Sequence, residues 1–315
     1  MQLFTWKEES PLGNRPAVLT IGFFDSFHLG HRALIREAKT LADELGAASL
    51  LMGFAPHPSF LFTPDHPVPM IYGTAEKEWI LDEIGLMDAC VLLRFDAELA
   101  GMPAEDFLTE VLIRRYHAAG IVVGDDFRFG RGNAGDSNLL VRLCREYGIA
   151  CRVVPEVRDG GVRVSSSRIR DLLEAGNLQE ANRLLGRPYL ICGTVSHGHG
   201  LGHKALLPTI NLEIGYDRVI PRKGVYVTRT LVGEQAYKSV TNIGSHPTVG
   251  EEAWPLCETF LIDGEGFFYQ RNAAVEFYAF LRDERCFTSA EELHAQQQTD
   301  IANARAYSAA EKRFS

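Results

Sequence analysis

Paired cysteines are missing from this chain. Its six cysteines stand at 90, 144, 151, 192, 257 and 286, and no two of them form a C-x-x-C step, which argues against a structural zinc site. Long apolar runs are missing too: none approaches the roughly 20 residues of a membrane-spanning helix. The opening stretch Met1-Gln2-Leu3-Phe4-Thr5-Trp6 has no basic segment followed by an apolar core, so no secretory leader is expected. Positive charge is scarce. Lys and Arg number 32 against 41 Asp and Glu, a net charge of −9, which argues against nucleic acid as a partner because phosphate backbones favour basic surfaces. Such a balance still allows a small phosphate ligand in a local positive pocket. Repeats and low-complexity segments are absent. The expectation is a reduced, cytoplasmic protein that neither crosses nor docks on a membrane.

What is present fits two folded domains. The chain has 315 residues, twice the usual domain length, and 46% of them are apolar, enough for full cores. The first half alternates short apolar runs with amphipathic ones. Strands are expected at 17–22, 48–54, 89–93, 121–124 and 151–154. Between the first two, Leu34, Ile35, Ala38, Leu41, Ala42 and Leu45 recur at helical spacing and Gly46 closes the run. A second helix is expected around Phe107–Leu112, and a third around Leu140–Tyr147 with Ser137 as its N-cap. Strand–helix alternation implies a parallel sheet covered by helices, which takes ligands at the carboxyl ends of its strands. Two short helices, 169–173 and 178–185, follow. The pattern changes at Gly186-Arg187-Pro188. Short strands then run without intervening helices, at 190–195, 225–231, 237–243, 258–262 and 275–281, which implies a small antiparallel barrel. A helix over 289–306 closes the chain, with Ser289 and Glu292 spaced as a capping box. The expected domains are therefore residues 1–186, α/β with a Rossmann-like parallel sheet, and residues 187–315, an antiparallel β-barrel with a terminal α-helix.

The densest chemistry lies after the first strand, in Gly22-Phe23-Phe24-Asp25-Ser26-Phe27-His28-Leu29-Gly30-His31. Two histidines three apart enter the first turn of a helix. Free N–H groups and partial positive charge there attract phosphate. Gly30 is expected to leave room for a nucleotide near the backbone, and imidazoles can donate to a phosphorus centre that gains charge. The plainer reading is a helix cap with surface histidines; the order strand, turn, His-x-Gly-His, helix favours the phosphate site. Further on, Ser165-Ser166-Ser167-Arg168-Ile169-Arg170 offers hydroxyls and two guanidinium groups, which grip phosphate in bidentate fashion. Gly130-Arg131-Gly132-Asn133-Ala134-Gly135 spells G-x-G-x-x-G, but Asp125–Phe129 separate it from the preceding strand, so it is not read as a dinucleotide motif.

In the second half, Gly198, Gly200 and Gly202 make a loop able to wrap phosphates with backbone N–H groups. Pro208-Thr209-Ile210-Asn211 follows, where Thr209 and Asn211 project to one side and offer neutral oxygens suited to magnesium. A nickel or zinc cluster of His197, His199 and His203 lacks a convincing ligand spacing.

These segments, taken in order, resemble the bacterial bifunctional riboflavin kinase/FAD synthetase family. His28-Leu29-Gly30-His31 is similar to the H-x-G-H signature of nucleotidyltransferases. Phe54-Ala55-Pro56-His57-Pro58 resembles the family's F-x-P-H-P turn. Asp126-Phe127-Arg128-Phe129-Gly130 resembles its flavin-side loop, Ser165–Arg170 its S-S-T-x-I-R motif, and Thr209–Asn211 the end of its P-T-A-N motif. Gly224-Val225-Tyr226, Asn242-Ile243-Gly244, Pro247-Thr248, Glu258 and Phe280-Leu281-Arg282-Asp283-Glu284 continue the series. The resemblance implies riboflavin + ATP → FMN + ADP in the second domain, then FMN + ATP → FAD + pyrophosphate in the first, both with Mg²⁺. It implies His28 and His31 as catalytic in adenylyl transfer, and Gly22, Phe24, Asp25, Gly30, Ser165, Ser166, Ser167, Arg168 and Arg170 as the ATP contacts. Phe54, Pro56, His57, Asp126 and Phe127 would contact flavin. In the kinase, Glu258 would be the general base, Gly198, Gly200 and Gly202 would face ATP, and Thr209 and Asn211 would hold the metal. The partners implied are small molecules, on a monomer or weak homo-oligomer. Departures are Phe23 for a small polar residue, Ser26-Phe27 for Gly-Val, Ser167 for Thr, and a kinase loop with Leu201, His203 and Ala205-Leu206-Leu207 in place of arginines and Leu-Gly-Phe. Two rivals stand beside this reading: an FMN adenylyltransferase whose barrel only binds flavin, and a nucleotidyltransferase for another acceptor.

Overall fold

The computed structural model describes residues 3–196, 209–215, 217–245, 255–265 and 267–307. Packing divides the chain into two compact units. One comprises the residues up to Met70 together with Lys77–Ser165; the other comprises Ile71–Glu76 and the chain from Ser166 onward.

The first unit runs β1 (Leu3–Phe4), β2 (Ala17–Ile21), α1 (Leu29–Leu45), β3 (Ala48–Ala55), α2 (Ser59–Phe62), α3 (Thr74–Ile84, whose first turn belongs to the other unit), β4 (Ala89–Arg94), α4 (Ala97–Ala100) and α5 (Ala104–Asp106). It continues through a π-helix (Phe107–Arg115), β5 (Ala118–Gly124), β6 (Arg128–Phe129), β7 (Gly135–Asp136), α6 (Ser137–Glu146), β8 (Ala150–Val154), β9 (Arg158–Asp159) and β10 (Val162–Arg163). Six strands form a parallel sheet in the order β1-β4-β3-β2-β5-β8. β2 is buried along its whole length, as a strand covered on both faces must be. Leu19, Ile21, Leu50 and Ile121 pack on one side with Leu108, Val111, Leu112 and Leu140. Val18 and Val122 pack on the other with Ala38, Leu41 and Ala42 of α1.

After the edge strand β1, the chain enters the middle of this sheet at β2. From β2 it builds outward through β3 and β4, then returns to place β5 on the other side of β2. The order therefore reverses between β2 and β5, the kind of switch point at which open α/β sheets take their ligands. The histidine turn follows β2, and Asp125-Asp126 follows β5. Two local expectations need correcting here. The residue that caps α6 is Asp136, whose side chain accepts from Leu139 N–H at 2.8 Å. Ser137 instead donates its hydroxyl to the Asp125 carbonyl at 3.0 Å and so ties the helix to the loop after β5. The helix expected around Phe107 is π-helical from Phe107 to Arg115.

The second unit runs α7 (Ser166–Glu174), α8 (Leu178–Leu185), β11 (Tyr189–Thr194), β12 (Thr209–Glu213), β13 (Gly224–Val232), β14 (Gln235–Ser245), β15 (Pro255–Leu261), β16 (Asn272–Arg282) and α9 (Ala290–Ala306). Six antiparallel strands follow the order β11-β16-β13-β14-β15-β12. The sheet curls until its edges meet at one further antiparallel pair, Ser196 with Asn211. Its inside carries a chain of buried hydroxyls, Thr230–Ser239–Thr228–Thr241–Thr259, each 2.7–2.9 Å from the next. On the outside, Val227 and Ile262 pack with Ile301 and Ala304 of α9. Ser289 caps α9, but the return bond from Glu292 goes to Thr288 N–H at 3.1 Å, one residue ahead of the cap. Residues 71–76 are part of this unit. Buried Glu76 accepts from Cys192 N–H and pairs with Arg218, each at 2.8 Å, while Tyr72 stacks on Tyr189.

Candidate functional sites

In the first unit, β2 delivers the chain into a tight turn. Phe24 (φ 40°) and Phe27 (φ 49°) both occupy the left-handed region, which bulky residues rarely adopt. Core packing holds them there: both rings are buried, and they stack at 6.0 Å. Phe27, one of the departures from the family pattern, is thus an anchor of the turn. Asp25 and Ser26 are buried as well. With the Phe24 and Asp25 side chains inside, this part of the turn has its backbone left to offer a nucleotide.

His28 is the N-cap of α1. Its Nδ1 accepts from His31 N–H at 3.1 Å, and the two imidazoles stack at 3.8 Å. An accepting Nδ1 requires the neutral tautomer with its proton on Nε2. Burial pushes His28 down to about 4; Arg163 lowers it further and Asp126 opposes that. Burial also holds His31 well below the usual histidine range, with the charges of His28 and Lys77 adding to the effect. Both rings are therefore neutral donors at neutral pH. A Cβ at Gly30 would lie 3.0 Å from His28 Cε1, so the glycine makes room for this ring.

Asp126 pairs with Arg163, and Glu156 lies 3.7 Å from the same guanidinium. Arg163 and Lys77 were not expected from the sequence. Arg163 stands two residues before the serine run and reads as an ordinary hairpin charge; Lys77 reads as a helix-surface charge, yet it is buried. Phe54 and His57 come together with Phe23, whose ring lies 5.3 Å from each. Phe95 joins them, and Phe62, 65% exposed, stands 6.0 Å beyond it. Phe23 thus completes an open aromatic patch. Phe127 is not part of it: that ring stacks on Phe129. Pro56 lies between Phe54 and His57, after a cis Ala55–Pro56 bond. Residues 130–134 link β6 to β7 and do not open a helix after a core strand, so no dinucleotide motif forms. Ser165 closes the first unit. Ser166, Ser167, Arg168 and Arg170 belong to the second, where Arg168 bonds Glu180 at 2.6 Å.

In the second unit, pairing register builds the site. Asn211 on β12 stands opposite Glu258 on β15, and Glu258 stands opposite Asn242 on β14. Directly opposed residues project from the same face, with Cβ atoms roughly 5 Å apart. Thr209, two residues before Asn211, shares that face. Glu258 sits in the middle of β15, which begins at Pro255 and not at 258 as expected; Cys257 and Thr259 point into the barrel, so the carboxylate faces outward. Gly198, Gly200 and Gly202, with His197, His199, Leu201, His203, Ala205-Leu206-Leu207, Pro247 and Thr248, lie outside the described residues. Among the described residues, no three His, Cys, Asp or Glu side chains group to hold a metal ion.

Comparison with known proteins matches each half of the chain to a family. The family models for FAD synthetase and riboflavin kinase match residues 11–168 and 185–308. The chain is 37% identical to the bifunctional riboflavin kinase/FMN adenylyltransferase of Escherichia coli K12, over 92% of each chain. The chain belongs to the bifunctional riboflavin kinase/FMN adenylyltransferase family. The family's protein from Pseudomonas fluorescens is 35% identical over 94% of each chain. A crystal structure titled as a macrolide-efflux protein of Streptococcus pneumoniae superposes with a TM-score of 0.85 at 28% identity, covering 98% of this chain and 99% of that one. Among the described residues, no helix is long and apolar enough to cross a membrane. Membership in the family carries both enzyme activities, riboflavin kinase and FMN adenylyltransferase, with riboflavin, FMN, FAD and ATP as substrates or products.

Proposed function

We propose that the histidine turn of residues 1–186 performs adenylyl transfer and that the Asn211–Glu258 face of residues 187–315 performs riboflavin phosphorylation. The observation that carries the first assignment is the stacked, neutral His28–His31 pair at the start of α1. A phosphate oxygen of FMN attacks the α-phosphorus of ATP, the P–O bond to the β-phosphate breaks, and pyrophosphate leaves. Negative charge grows at the α-phosphate. The Nε2–H of His28 and the free N–H groups of the first helical turn donate to it. Arg163, paired with Asp126, is the guanidinium placed to exchange that carboxylate for phosphate. The patch of Phe23, Phe54 and His57 gives a flat flavin ring an aromatic surface.

In the second unit, Glu258 takes the proton of the ribityl hydroxyl that attacks the γ-phosphorus, and ADP leaves. Thr209 and Asn211 fit a magnesium ion because they present neutral oxygens on one face, without a competing cluster of charged ligands among the described residues. When bound, the ion would neutralise charge on the ATP phosphates.

The test supplies purified protein with riboflavin, ATP and magnesium, then resolves FMN, FAD, ADP and pyrophosphate by chromatography. One ADP per FMN and one pyrophosphate per FAD are expected. Protein that adenylylates supplied FMN but leaves riboflavin untouched would reduce the barrel to a flavin-binding module. Omitting magnesium is expected to stop both products.

A further inference from the structure

Two segments that resemble the family, Asn242-Ile243-Gly244 and Arg282-Asp283-Glu284, have no role in the steps above, yet the fold joins them. β13 lies between β14 and β16, with Val225 opposite both Asn242 and Arg282. Just past β16, Glu284 reaches to β14, where its Oε1 accepts from Asn242 Nδ2 at 3.1 Å. Two glycines clear the route. A Cβ on Gly224 (φ 147°) would lie 2.5 Å from the Arg282 carbonyl oxygen, and one on Gly244 would lie 2.5 Å from Glu284 Oε1. Neighbours of Glu284 are pinned: Arg282 pairs with Asp300 and Asp283 with Arg222, at 2.7 and 2.8 Å.

This tether orients the Asn242 amide. An ionised carboxylate has no hydrogen to give, so the amide nitrogen must face Glu284. The other end, Oδ1, is buried and has no hydrogen-bond partner among the described residues. Leaving an amide oxygen dry and unpaired costs stability, and a ligand that brings a donor removes that cost. The ligand-side neighbour is Glu258, directly opposite on the same face. Asn211 stands one strand further on, roughly 10 Å from Asn242 in backbone spacing. Two magnesium–oxygen bonds span only about 4 Å, so an ion on Asn211 is not shared with Asn242. The remaining donor class beside the base is a hydroxyl.

We infer that Asn242 Oδ1 accepts a hydrogen bond from a ribityl hydroxyl of riboflavin, adjacent to the hydroxyl that Glu258 deprotonates. Glu284 is its positioning residue. The inference rests on the kinase reading of the Glu258 face. The experiment measures riboflavin phosphorylation by the full-length protein, together with its inhibition by lumiflavin, which has the ring system but no ribityl chain. Asn242→Ala is expected to raise KM for riboflavin roughly tenfold, the size of one buried hydrogen bond. KM for ATP, the inhibition constant of lumiflavin and conversion of supplied FMN to FAD should stay unchanged. Glu284→Gln keeps Asn242 but lets its amide turn, and a smaller rise in KM for riboflavin alone is expected. Equal losses for riboflavin and lumiflavin, a rise confined to KM for ATP, or no change in either variant would overturn the inference. Failure of the kinase reading is distinguishable: Glu258→Gln would then phosphorylate riboflavin at the wild-type rate, whatever Asn242→Ala does to KM.

Discussion

The two sites are assembled by opposite routes. In the first unit, the sheet brings loop ends together, and the residues proposed for catalysis come from one continuous turn, Gly22 to His31, with Asp126 added across the reversal in strand order. In the second, the described residues of the proposed site lie on strands. Asn211, Glu258 and Asn242 sit mid-strand on three different strands and meet only because the register aligns them. One proposed site is largely local in sequence. A one-residue slip in the other would send Glu258 to the opposite face of its strand.

The most severe test of this contrast is Glu258→Gln. It should lower kcat for FMN formation by roughly 10²–10⁴ while conversion of supplied FMN to FAD continues; loss of both would mean that the residue holds the fold and not the chemistry. Next in size, His28→Ala and His31→Ala should each cost roughly 10²–10³ in FAD formation, with riboflavin phosphorylation intact. Normal FAD output from both variants would remove the histidines from the reaction. The mildest test concerns burial. In the folded protein His28 titrates near 4 against an ordinary 6.5. Above 6.5 the ring is neutral in folded and unfolded chains alike. As pH falls from 6.5 toward 4, the unfolded chain takes up a proton that the folded one refuses, and about 3 kcal/mol of stability is lost. Urea unfolding of ligand-free wild type should therefore weaken more steeply over that interval than unfolding of His28→Gln. Parallel curves would show a solvated ring.

The same contrast explains what could be read in advance. Strand–helix alternation, the start of α1 and its His-x-Gly-His turn are contiguous signals, and the structure has them where the spacing put them. The barrel strands were legible one by one, but their pairing was not, so Glu258 looked like a charge at a strand start and Asn242 carried no chemistry at all. Side chains recruited from afar were equally silent. Nothing near Arg163 in the sequence announces Asp126, and nothing near Lys77 announces His31. At α6 the spacing pointed to Ser137, but Asp136 caps the helix and Ser137 is engaged by the Asp125 carbonyl, 12 residues away. Phe23 was legible as a departure from the family pattern, but its partners Phe54, His57 and Phe95 were not.

The ion pair between Glu76 and Arg218 has a consequence for synthesis. The two residues are 142 positions apart, and the short stretch 71–76 belongs to a unit whose remaining chain begins at Ser166. At roughly 5–20 residues per second, a ribosome delivers the arginine some 7–28 s after the glutamate. Over that interval the nascent chain holds an acid with no cation to meet it and a tyrosine, Tyr72, with no ring to stack on. The early half therefore waits with a docking segment ready, and the late half cannot complete its packing from its own residues. A gene cut once, at any codon, leaves that segment on the wrong side or divides a unit, so recombination that shuffles the two activities has to carry residues 71–76 along with the barrel.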